Sequence, residues 1–159
     1  LISLREQLFV LLFSMLISDL PPAEQTEVIC SIDASLKYDV PASILIAVAK
    51  VENGKVNSVN YNKNGSYDIG KMQINSTYLL DLKKYGITED MLKSDGCFPY
   101  YVAAYKIKRH LIEDKGTYWQ RIANYHSRTA EYNLNYQKKI RPIARKWSIW
   151  LKDYLLKQQ

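Results

Sequence analysis

The chain has two cysteines, Cys30 and Cys97, and two histidines, His110 and His126, in 159 residues. Ligands so few and so far apart do not make a metal site, which needs closely spaced Cys or His pairs. Neither a metal nor an organic cofactor is implied. No apolar run approaches the ~20 residues of a membrane-spanning helix, and no internal repeat or low-complexity segment is present. With 47% apolar and 24% charged residues the chain is neither disordered nor a multi-span membrane protein. Nothing resembles a nucleic-acid-binding motif, so nucleic acid is not the expected partner of its positive charge.

Acidic residues are scarce at one end. Residues 138–159 hold Lys138, Lys139, Arg141, Arg145, Lys146, Lys152 and Lys157 against Asp153 alone, which accounts for the whole net charge of +6. The rest of the chain is balanced. A basic tail of this kind suits an acidic peptide, anionic lipid or an acidic protein partner.

At this length one globular domain with a substantial core is expected. Pro21-Pro22 divides an N-terminal segment, 1–22, from the domain, 23–159. The segment contains Leu8–Ile17, a ten-residue apolar run interrupted only by Ser14. That is the length of a signal peptide's central region and too short to span a bilayer. Arg5 fits such a signal, whereas Glu6 and the absence of an Ala-x-Ala site do not. Export signal, retained anchor and packed helix all stay open.

The remaining pattern is predominantly helical. Val28, Ile29, Ile32 and Leu36 mark an apolar face on a helix over about 23–37. Asp39 is a candidate cap for the next helix, with Pro41 in its first turn. Residues 53–69, rich in asparagine and glycine, read as loop with a short hairpin. Helices follow from Ser76 or Thr77 to Tyr85-Gly86, from Phe98 to Lys115, and from Thr117 to Ala123, with a short turn at Thr88–Leu92. A last helix runs from Ala130 to Lys157 with a break expected near Pro142. It places Ile140, Ile143, Ala144, Trp147, Trp150, Leu151, Tyr154 and Leu155 at three-four spacing, facing either its own domain or a docking partner.

The chemistry concentrates between Lys50 and Asn75. Glu52 closes the apolar helix Ile44–Val51, and Asn53-Gly54 is a helix stop. A carboxyl group at a cleft lip, with an apolar wall behind it, stays protonated nearer neutral pH, as a general acid requires. Downstream, Gly70-Lys71-Met72-Gln73-Ile74-Asn75 forms a turn. Its glycine permits positive φ or close approach to a ligand. Met72 offers a polarizable wall, and Gln73 offers both a donor and an acceptor. Taken singly, Glu52 is equally a solvated surface charge, Met72 a core residue and Asp68 a turn-capping aspartate.

Glu52 after an Ala/Val-rich helix, Gly70–Asn75, and Ile122-Ala-Asn-Tyr-His-Ser127 stand in the order and rough spacing of the family 1 lytic transglycosylases. The chain resembles these peptidoglycan lyases over about residues 28–140, and most of all their small members that accompany conjugation and type III and type IV secretion machines. Two departures are Glu52-Asn53 for the usual Glu-Ser, and Asn124-Tyr125-His126 for Ala-Tyr-Asn. The resemblance implies a mainly α, α+β lysozyme-like fold with a hairpin near the cleft. It implies Glu52 as the catalytic acid and base, with Gly70, Met72, Gln73, Asn75, Tyr125 and His126 binding glycan and Asp68 assisting. Tyr125 would donate to Glu52 or to the muramoyl group. Family members often carry cysteines near positions 30 and 97, which implies a disulfide, although two buried thiols remain the simpler reading. Paired cysteines suit an oxidising compartment. The expected setting is therefore the periplasm, with peptidoglycan strands and secretion-machine components as partners and possible contact with the membrane surface. A hydrolytic muramidase and a glycan-binding assembly protein are the rivals.

Overall fold

The structure, a computed structural model, describes residues 17–156, with side chains through Tyr154. The Leu8–Ile17 run lies outside the described residues except for its last member. Eight elements form a mainly helical domain before its closing pair. These are α1 (Pro22–Tyr38), α2 (Ala42–Glu52), β1 (Val59–Tyr61), β2 (Tyr67–Ile69), β3 (Ile74–Asn75), α3 (Ser76–Lys83), α4 (Glu89–Lys93) and α5 (Phe98–Glu113). The pair is α6 (Tyr118–Ala123) and α7 (Ala130–Leu156).

Helix α2 lies at the centre. Every residue from Ser43 to Ala49 is buried, so the helix is apolar on all sides, as a helix enclosed by others must be. It packs between α1 and the long α7. Cys30 on α1 and Cys97 at the start of α5 are joined by a disulfide, with Cα atoms 4.7 Å apart. The β-region is a three-stranded antiparallel sheet in the order β1-β2-β3. The expected hairpin is β1–β2; the added third strand pairs Asp68 with Asn75 and Ile69 with Ile74.

Three local expectations are corrected. The buried side of α1 is formed by Glu27, Val28, Cys30, Ser31 and Ala34, while Ile29 and Leu36 are 49% and 81% exposed. Small and charged residues face inward there because the disulfide and two lysines meet that side. Asp39 does not cap α2. It takes φ 53° and ends α1, its N–H bonded to the Ser35 carbonyl, and its carboxylate pairs with Lys108 at 2.9 Å. Finally, α7 runs without a break through Pro142. That proline is exposed, so its missing N–H falls on the solvent side, where the gap in the ladder is least costly.

The apolar face of α7 is turned inward. Tyr136, Ile140 and Ala144 join the main core, while Trp147 and Tyr154 pack with Ile17, Val28 and Ile46 in a second cluster. Packing, not docking, uses this face.

Candidate functional site

Glu52 is the last residue of α2. Asn53 then adopts the left-handed conformation at φ 48° and returns its N–H to Ala49, so the chain turns away directly after the carboxylate. Gly54 is buried against the turn. A Cβ there would overlap the Gly70 carbonyl and crowd Gln73 Nε2 at 2.8 Å, so the backbones at 54 and 70 can meet only through glycine. Gly70 itself has φ 66°, and a side chain would overlap the Leu92 carbonyl. Lys71 ties the same turn to α1 by an ion pair with buried Glu27 at 3.3 Å.

The expected site residues separate into two groups. Glu52, Asp68, Gln73, Asn75, Tyr125 and His126 line one groove of about 910 Å³. Gly70 and Met72 are buried behind it, and neither lines the groove. Met72 is a core side chain, because the turn points it inward between Ile69 and Ile74. Its carbonyl is what matters to the site, accepting the Tyr125 hydroxyl at 2.6 Å.

Gln73 is held on both sides. Its amide donates to the Gly70 carbonyl at 2.9 Å, and its side-chain oxygen accepts from Asn60 at 2.8 Å. Asn75 caps α3 through Thr77 and donates to Asp68 at 2.8 Å. Asn62 donates to the other oxygen of Asp68 at 3.0 Å. Asp68 is thus a half-buried, hydrogen-bonded carboxylate on β2, fixed by the loop it faces.

Glu52 is different. Its side chain is only 13% exposed, and Oε1 is buried with no hydrogen-bond partner. His126 Nδ1 stands 3.7 Å away, beyond hydrogen-bond range. The His126 ring stacks flat on Tyr136, centroids 4.7 Å apart. The Tyr136 hydroxyl is also buried and unpartnered. Burial, and then the neighbouring Glu52, push its pKa well above the usual range for a phenol. Two buried oxygens without a well-formed hydrogen bond, near enough for the carboxylate to act on the phenol, are uncommon in a folded chain and mark a place where a ligand can complete the bonding. A second groove of about 230 Å³ opens beyond them, lined by Glu52, His126, Tyr132, Tyr136 and Lys139 among others. Glu52 therefore sits at a junction, with open space on two sides.

Sequence reasoning missed Tyr136 and Lys106. Tyr136 is one turn before Ile140 on the inward face of α7, where a tyrosine hydroxyl needs a partner. Lys106 lies between Val102 and His110 on the buried face of α5, and a lysine on such a face was the available signal. Its ammonium donates to the Tyr125 carbonyl at 2.9 Å and lies 4.4 Å from the Tyr125 ring centre. Burial lowers its pKa to about 8, partly offset by Glu52 and Asp68. At neutral pH it is thus the cation facing both carboxylates. Behind the groove wall Asp114 accepts from Asn124 at 2.7 Å and from Arg128 at 3.1 Å, and pairs with His110 Nδ1 at 2.7 Å. Burial pushes Asp114 up, but these hydrogen bonds outweigh it and hold its pKa at about 2. Among the described residues no cluster of His, Cys, Asp and Glu could hold a metal ion.

The fold and the groove define a mainly helical domain with one isolated, buried carboxyl group at the junction of an open groove. No protein-family model matches the chain. It is 32% identical over 116 residues to the invasion protein IagB of Salmonella typhimurium, covering 70% of this chain and 72% of that protein. It is 35% identical over 102 residues to protein IpgF of Shigella flexneri, covering 64% and 66%. An X polypeptide of Escherichia coli is 25% identical over 123 residues, covering 76% and 72%. The chain belongs to the family of the invasion protein IagB.

Proposed function

We propose that the chain is a peptidoglycan lytic transglycosylase with Glu52 as its acid and base. The observation that carries this reading is the state of Glu52: a buried carboxyl oxygen without a partner, between two stretches of groove. A polymer threaded along both would present a bond to it. Glu52 protonates the oxygen that joins MurNAc C1 to GlcNAc C4 as the bond from C1 to that oxygen breaks through an oxocarbenium-like state. The resulting carboxylate takes the proton from the muramoyl C6 hydroxyl, whose oxygen attacks C1 and closes a 1,6-anhydro ring. The proton given is recovered, and no water enters.

In this scheme Lys106 and Tyr136 set the electrostatics around Glu52, and Gln73 and His126 offer polar groups to the sugar. Asp68 is spare. Its carboxylate in the same groove supports a second reading, hydrolysis with two carboxylates. The disulfide supports an oxidising compartment such as the periplasm. Kinship with a protein named for invasion supports service to a secretion machine, where local opening of the wall is needed. Mass analysis of muropeptides from purified sacculi tests the reaction: anhydro ends are expected, and new reducing ends point to a muramidase.

A further inference from the structure

The inward face of α7 is consumed by packing, which leaves its outer face to be explained. Lys138, Arg141, Arg145 and Lys152 are all exposed, at offsets of three, seven and fourteen residues. At 100° per residue they fall within a narrow stripe about 21 Å long. Leu134 and Ile149 lie on the same stripe and are 51% and 54% exposed. Lys139 and Lys146 flank it, and no acidic residue occurs between Glu131 and Asp153. Among the described residues Lys138, Arg145, Lys146 and Lys152 make no salt bridge, whereas Lys50, Lys71, Lys93 and Lys108 are paired with Glu24, Glu27, Asp39 and Glu89. Lys37, Lys55, Lys63, Lys83, Lys84 and Lys115 likewise make no ion pair; what sets this face apart is that its unpaired cations share one stripe that carries no acidic residue.

We infer that the outer face of α7 is a docking surface for an anionic phospholipid bilayer. The stripe runs along one continuous helix as a line of charge, and among the described residues its members line neither groove. Two exposed aliphatic residues, Leu134 and Ile149, share this face with the basic side chains, the composition that suits a charged interface with a shallow apolar layer beneath. The inference does not rest on the enzymatic reading, since Lys138, Arg141, Arg145, Lys152, Leu134 and Ile149 line neither groove.

The test is vesicle co-sedimentation at about 0.1 M salt, comparing vesicles rich in phosphatidylglycerol with pure phosphatidylcholine. The readout is the excess binding to anionic vesicles, which removes any contribution of the apolar run itself. Each basic residue near such a surface is worth roughly fivefold in affinity. The variant Lys138→Gln/Arg145→Gln/Lys152→Gln should therefore lose about a hundredfold, while Lys83→Gln/Lys84→Gln/Lys115→Gln, with the same change in net charge, should bind like wild type. The excess should also fall steeply as salt rises. Absence of any anionic excess, or equal loss in both variants, overturns the inference. Tight binding of a polyglutamate peptide, with no preference for anionic vesicles, overturns it in favour of an acidic protein.

Discussion

The hydroxyl of Tyr125 donates to the backbone carbonyl of Met72 at 2.6 Å, joining two sequence motifs 53 residues apart. Burial, then Glu52 and Asp68, raise this phenol's pKa far above its ordinary value, so it remains a donor at every physiological pH. Removing it leaves a buried carbonyl with no partner. Tyr125→Phe should cost about 1–3 kcal/mol in urea unfolding. It should also lower activity, because the turn that presents Gln73 loses its anchor.

Asp114 should make stability fall in acid. Its pKa is held at about 2 in the folded chain, against an ordinary 3.9. A carboxyl with a depressed folded pKa contributes stability above its unfolded value, and loses it as pH drops through the folded one. Solvent reaches part of the group, so the contribution is about 1 kcal/mol. Asp114→Asn should therefore unfold more easily than wild type at pH 7. The gap should close between about pH 4 and pH 2 in thermal melts.

The Cys30–Cys97 bond closes a loop with a sequence separation of 67 residues. In the chain-entropy account this stabilises the fold by roughly 4 kcal/mol. The Cys30→Ala/Cys97→Ala variant should show a correspondingly lower denaturant midpoint. A midpoint unchanged from the oxidised wild type would show that the bond contributes nothing.

Much of the helical frame was legible from periodicity, because α2, α5 and α7 carry long apolar stripes or wholly apolar runs. Glu52 and the Gly70 turn stood out through local signals, a helix stop and a Gly-x-Met-Gln run. What was not legible depended on distant partners. Leu36 matches the apolar period of α1 but has no neighbour to cover it. Asp39 prefers to end one helix because Lys108 waits for its carboxylate. Met72 was read as a wall of the groove, yet the pairing of β3 with β2 turns it into the core. Tyr136 and Lys106 approach Glu52 only once α5 and α7 have packed. The resemblance to lytic transglycosylases placed Tyr125 near Glu52, but the hydroxyl chose a carbonyl instead.

Asp68 should be dispensable for chemistry. Its two oxygens are occupied by Asn62 and Asn75, which suits a residue that shapes the groove. Asp68→Asn should retain activity within about tenfold and still release anhydro products. Complete loss in a folded variant points to a two-carboxylate mechanism.

The most direct test of the central claim is muropeptide analysis with wild type and Glu52→Gln side by side. The amide keeps the side chain's size but has no transferable proton, and its partly buried setting should tolerate the change. One group serves both halves of the reaction, so the rate should fall by about 10⁴-fold or more, at the upper end for acid–base catalysis. Binding to sacculi should persist, because the groove is intact. Wild type should give 1,6-anhydromuramic ends and the variant almost none. Near-equal cleavage by the two proteins would contradict the account.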